Sequence, residues 1–131
     1  MRTEGVYLDS VGVFLPEWMS SEQAVADGLY EEEVWKSSGL TGAHVAGDVA
    51  ALDMAVTASR TALERSELDP DEIGSHIHSG VFYQGPEGSY PPGYILRELA
   101  VEDASSLYLR QGCNWMLTAL EVAVGRLAAD A

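Results

Sequence analysis

A single cysteine, Cys113, stands in the run SLYLRQGCNWMLTALEVA, between a short β-prone stretch and an apolar repeat of helical period. At a strand-to-helix turn, unpaired backbone N–H groups and the positive end of the helix dipole favour thiolate over thiol. Cys113 is therefore a candidate nucleophile. A lone cysteine near a helix start is also, elsewhere, a small buried core residue, and the local sequence leaves both readings open. As the only cysteine it excludes an intramolecular disulfide. The three histidines are His44, His76 and His78. His76 and His78 alternate, so on a strand they share a face and make part of a metal-ligand set. No third ligand stands at a diagnostic spacing, and polar roles without a metal are expected. No G-x-S-x-G elbow is present to support Ser-His-Asp chemistry.

The elements that must position these residues are read from periodicity. GVYLDSVGVFLP, ending at Pro16, predicts a strand that turns apolar and stops. Ser20 followed by Gln23 predicts a capping box and a short helix through Gly28, and Glu31 to Lys36 predicts a further turn or two of helix. Gly39 and Gly42 mark a loop before a short strand at His44 and Val45. Asp48 is the expected cap of a helix whose Leu52, Ala55, Val56, Ala62 and Leu63 share one face, with LDPDEIG as its stop. Ile73 to Tyr83 predicts a strand, GPEGSYPPG a loop, Pro92 the first turn of a helix, and Ser106 to Arg110 a strand. Leu117, Leu120, Val124 and Leu127 then lie on one face of a helix running to the C-terminus. This order is an α/β pattern, and no repeat or linker argues for a second domain.

The chain has 131 residues, of which 47% are hydrophobic, enough for one domain with a real core. No apolar run approaches the roughly 20 residues of a membrane span, and no leader pattern opens the sequence. A cytoplasmic location without membrane contact is the expectation. Twenty-one acidic against seven basic residues give a net charge of -14 with the cations scattered, which disfavours nucleic acid as a partner.

Together these residues resemble the thiolase superfamily, nearest its ketoacyl synthase III-like condensing enzymes. Gly112, Cys113, Asn114 and Trp115, opening TALEVAVGRL, are similar to that family's A-C-x-G/A-F/W nucleophile elbow and its buried alanine-rich helix. Phe14, Leu15 and Pro16 match the end of its first strand; Trp35, Gly39, Leu40, His44, Val45 and Ala46 resemble a W…G-I-x-x-R-x-x-A segment. Asp69, Asp71, Ile73 and Gly74 follow its D-x-D-x-I pattern, and Tyr90 with Pro91 its aromatic-proline pair before a helix.

The resemblance implies an incomplete half of a thiolase-like αβαβα fold, a mixed sheet with helices on both faces. It makes residues 1–131 one N-terminal half-domain that stops before the last strand of that half. It further implies that Cys113 accepts an acyl group, with Trp35, Tyr90 and Trp115 as substrate-binding residues and no cofactor. Ordinary helix packing remains an alternative role for Trp115. The implied donors are acyl carrier protein or acyl-coenzyme A thioesters. The arginine-rich context that holds the nucleotide in the family is replaced by Lys36, Ser37 and Ser38, and an acidic carrier would be repelled by this acidic chain. The family's catalytic histidine and asparagine belong to the C-terminal half, so a C-terminal-half partner chain is implied, with a homodimer as the other expected assembly. The tyrosines Tyr83, Tyr90 and Tyr94 suit an interface. Acyl transfer or decarboxylative condensation is the leading expectation. A non-catalytic subunit supporting a partner, and a small flavodoxin-like binding domain, are the alternatives.

Overall fold

The computed structural model describes residues 4–129. They form a mixed α/β structure in two compact units, one of residues 14–49 and one of residues 4–13 with 50–129.

In the smaller unit β1 (Glu17–Ser20) pairs antiparallel with β2 (Gly42–Val45), Trp18 opposite His44. Between them lie α1 (Ser21–Ala26) and α2 (Glu32–Ser38). Ser20 caps α1 by accepting the Gln23 N–H at 3.0 Å, as its spacing predicts. The return half of the capping box is not made, because the Gln23 amide donates to Asp27 Oδ1 at 2.7 Å. Gly39, in the left-handed region at φ 68°, ends α2.

The strand expected over Gly5–Pro16 does not form. A strand needs a neighbour for its N–H and C=O groups, and this segment has no ladder among the described residues. Residues 4–13 are held from the side instead. The Val11 carbonyl accepts from the Arg65 guanidinium at 2.7 Å, and a Cβ on Gly12 would fall 1.8 Å from the Ala58 carbonyl oxygen.

In the larger unit α3 (Ala51–Arg65) buries Leu52 and Val56, the face its periodicity marks. Its cap is Ala50, not Asp48: the chain turns at residues 47–48 and enters the helix at Ala51, three residues later. A 3-10 turn at Pro70–Glu72, closed by reciprocal bonds between Asp69 and Glu72, stops the segment as LDPDEIG predicts. β3 (Ser75–Gly80) and β4 (Ser105–Arg110) pair in parallel, Ser75 opposite Ser105 and Gly80 opposite Arg110. α4 (Pro91–Glu98) and α5 (Trp115–Ala129) complete the unit. β3 ends three residues short of Tyr83, because the chain bends at Val81 and Phe82.

Helices cover both faces of this parallel pair. Arg126 of α5 donates to the hydroxyls of Ser75 and Ser105, while Tyr90 at the start of α4 donates to the carbonyl of Ser106, the next residue along β4. Leu52 and Val56 of α3 meet Ile95 of α4 in the core, with Ala55, Tyr94 and Leu99 packed around them. The Tyr94 hydroxyl donates to Asp53 Oδ1 at 2.5 Å; this bond and the carboxylate charge raise the tyrosine's pKa above its ordinary value.

Candidate functional site

Because β3 and β4 are parallel and end in register, the segments that follow them leave the same end of the sheet from strands about 4.8 Å apart. This end carries the candidate chemistry. Beyond β4 the chain turns through Gly112, Cys113 and Asn114 into α5. Gly112 has φ 24°, in the positive region that favours glycine, which lets the backbone reverse there without a side-chain penalty. Cys113 is exposed and stands two residues ahead of the first helical residue. The first N–H groups of α5 have no intrahelical acceptor. Trp115, half-buried, opens the helix. The structure thus places Cys113 and Trp115 on the strand–turn–helix sequence read from the residues.

Beyond β3, residues 81–90 fold back over the end of β4. The Tyr108 hydroxyl accepts the Gln84 N–H at 3.1 Å and donates to the Phe82 carbonyl at 3.2 Å. The Tyr108 ring lies 5.2 Å from that of His78 and 5.9 Å from that of Tyr83, and the Arg110 guanidinium sits 5.8 Å from the Tyr83 ring centre. Tyr83 is fixed in turn, its hydroxyl bonded to the carbonyls of Pro86 and Ser89. At the far end of the loop Tyr90, half-exposed, donates to the Ser106 carbonyl at 3.1 Å and accepts from the Ser106 hydroxyl at 3.2 Å. The three tyrosines therefore reach different partners: Tyr83 its own loop, Tyr90 β4, and Tyr94 α3.

His76 and His78 share the face of β3 read from their alternation, with ring centres 6.3 Å apart. His78 Nε2 donates to Gln84 Oε1 at 2.8 Å, whereas the buried His76 Nδ1 has no partner. Burial, and then the neighbouring His78, push the His76 pKa down to about 4; burial also lowers His78, against the bond to Gln84. Both are neutral at pH 7. Among the described residues no group of three or more histidine, cysteine or carboxylate side chains is arranged to hold a metal.

Trp35 lies half-buried on α2 of the smaller unit, its carbonyl accepting from the Gly39 N–H and the Ser38 hydroxyl. In the same unit His44 Nδ1 bonds the Pro16 carbonyl at 2.6 Å and its ring meets Trp18 edge-on.

A cavity of about 770 Å³ runs under α5 between Ile73, Ile77, Leu120 and Leu127, with Arg126 among its lining. Neither Cys113 nor any histidine or carboxylate lines it. The trough offers the hydroxyls of Ser75, Ser79 and Ser105 but no histidine or carboxylate to activate them, so the turn after β4 remains the chemical candidate. Residues Gln84 and Tyr108 were not singled out by the sequence; 24 positions separate them, and only the parallel pairing brings them together.

No family model matches the chain, and no curated protein sequence does. Solved structures do match. An acyltransferase, ChlB3, is 40% identical over 92% of this chain with a TM-score of 0.86. A priming β-ketosynthase of a polyketide biosynthetic pathway is 25% identical over 92% with a TM-score of 0.74. The 3-oxoacyl-[acyl-carrier-protein] synthase III of Aquifex aeolicus is 19% identical over 92% with a TM-score of 0.78, a likeness of fold. The chain spans only 37%, 39% and 40% of the lengths of these three proteins.

Proposed function

We propose that the chain, which carries part of the thiolase-like, ketoacyl synthase III-like fold, belongs to its N-terminal half, and that Cys113 is an acyl-accepting nucleophile. The Cys113 thiolate attacks the carbonyl carbon of an acyl thioester, with its own backbone N–H and a second amide holding the oxyanion. The carbon–sulfur bond to the carrier breaks, the carrier thiolate leaves and takes a proton from water, and an acyl-cysteine remains. A carbon, hydroxyl or amine acceptor then removes the acyl group, by condensation or simple transfer. A C-terminal half supplies the histidine and asparagine for that second step. The thioester donor comes from an acyl carrier protein or coenzyme A. On the same premise residues 4–129 belong to one half-domain, and Trp35, Tyr90 and Trp115 contact the substrate.

The observation that supports this reading is the exposed thiol in a glycine-led turn between a parallel strand and a long helix, in a chain 40% identical to an acyltransferase. Intact-protein mass spectrometry after incubation with acyl thioesters tests it. A single acyl adduct that maps to Cys113 and vanishes in Cys113→Ala is the expected result. Absence of the adduct in the isolated chain and in every assembly with a co-purifying partner sinks the nucleophile and leaves the non-catalytic, partner-supporting role.

A further inference from the structure

We propose that the trough under α5 binds a medium-chain carboxylate, with its head on Arg126 and Ser75 and its tail among the apolar side chains beyond them. The inference stands independently of the acylation of Cys113. The trough's volume, about 770 Å³, falls in the range of small-molecule sites, which are mostly apolar with a few convergent polar groups. Ile73, Ile77, Ala119, Leu120 and Leu127 supply apolar walls of that kind. Arg126 is the one charged side chain among the described lining residues.

The sign of the ligand follows from Arg126. Its Nη1 donates to the hydroxyls of Ser75 and Ser105, the latter at 2.9 Å. Among the described residues its Nε and Nη2 have no acceptor, and no carboxylate lies within ion-pair distance. A planar guanidinium beside apolar surface grips a carboxylate through parallel N–H groups, with charge-assisted bonds stronger than those to a hydroxyl. Ser105 gives its own proton to the Gly74 carbonyl at 3.3 Å. The Ser75 hydroxyl has no acceptor among the described residues and can donate to the same carboxylate. The length of the ligand follows from the helix. Ser75 and Ser105 open β3 and β4, so the polar end of the trough lies at the strand starts. Met116, also in the lining, belongs to the first turn of α5, and the helix rises about 15 Å between it and Arg126. That distance suits a medium-chain tail and leaves most of the trough empty around acetate.

Titration calorimetry of the full chain at low ionic strength tests the assignment, with octanoate and 1-octanol as ligands and acetate as the control without a tail. Octanoate is expected to bind about tenfold tighter than octanol, the difference that one charge-assisted hydrogen bond makes, and acetate not to bind. Arg126→Met should bring octanoate down to the octanol value while octanol binding stays as it was, which also reports that the variant is folded. Methyl NMR of the octanoate complex should confine the shifts to Ile73, Ile77, Leu120, Leu127 and their neighbours in the lining. Equal affinity for octanoate and octanol in wild type, or an octanoate affinity that Arg126→Met does not change, overturns the proposal. Shifts spread over methyls outside the lining overturn it as unspecific uptake of an amphiphile. A doubled mass by light scattering overturns it by giving the trough to a second copy of the chain. Should Arg126→Met not fold, Ser75→Ala takes its place, with a loss of about threefold expected for octanoate and none for octanol. Equal effects on the two ligands in that variant overturn the head-group contact.

Discussion

His76 is half-buried beside a second histidine, its buried Nδ1 has no hydrogen-bond partner, and its pKa falls to about 4. His78 is depressed in the same direction by burial. A base whose folded pKa lies below its unfolded value stabilises the fold fully above the unfolded pKa, near 6.5, and loses that contribution as pH falls toward the folded value. Urea midpoints should therefore hold above pH 7 and decline between about pH 6.5 and 5, before most carboxylates titrate. Each histidine that charges only on unfolding contributes a slope approaching about 1.4 kcal/mol per pH unit. His76→Leu should shallow that slope, and an unchanged slope would place the acid sensitivity elsewhere. The alternation of His76 and His78 was legible, because a strand puts alternate residues on one face. Their environment was not. It depends on Gln84 from the following loop and Tyr108 from a strand thirty residues on, and no local spacing encodes a parallel pairing.

At the scale of elements, most self-contained local chemistry was legible, the Asp48 cap of α3 excepted. The Ser20 cap, the Asp69–Glu72 turn, the α3 face and the α4 start at paired prolines all depend on residues within a few positions of each other. Gly5–Pro16 failed because a strand is defined by its neighbour, which its own alternation cannot supply. What holds residues 4–13 gives a direct test. With a Cβ 1.8 Å from the Ala58 carbonyl oxygen, Gly12→Ala must push the segment off α3, and a loss of about 3 kcal/mol is expected by urea denaturation. A loss below about 0.5 kcal/mol, the range of ordinary surface changes, would show that the segment does not rest there. The C-terminus of α4 carries the opposite opportunity. Ala100 sits at φ 56°, with the Val101 N–H closing back on the Leu96 carbonyl at 3.0 Å, a position where glycine avoids a Cβ clash. Ala100→Gly should stabilise by up to about 1 kcal/mol, visible as a raised urea midpoint with an unchanged slope.

At the scale of the molecule, the buried hydrophobic core among the described residues is small, while α5 leaves Met116, Leu117, Leu120 and Leu127 half or more exposed beside the apolar trough. The sequence marked Leu117, Leu120 and Leu127 as one helix face, and periodicity shows that such a face is covered without showing by what. A contiguous apolar surface of this kind favours association. Net charge opposes it between copies: two chains of -14 repel over a Debye length of about 10 Å at 0.1 M salt, and the repulsion shortens as salt rises. Light scattering on the isolated chain should therefore give a mass near 14.1 kDa at low ionic strength and a larger mass at high ionic strength. Leu120→Glu, which places another carboxylate on the α5 face, should hold the mass at the monomer value throughout. A basic partner chain meets neither obstacle and should bind α5 most tightly at low salt, weakening as salt rises, the reverse of self-association. A wild-type chain that stays monomeric at every ionic strength would remove the homodimer reading.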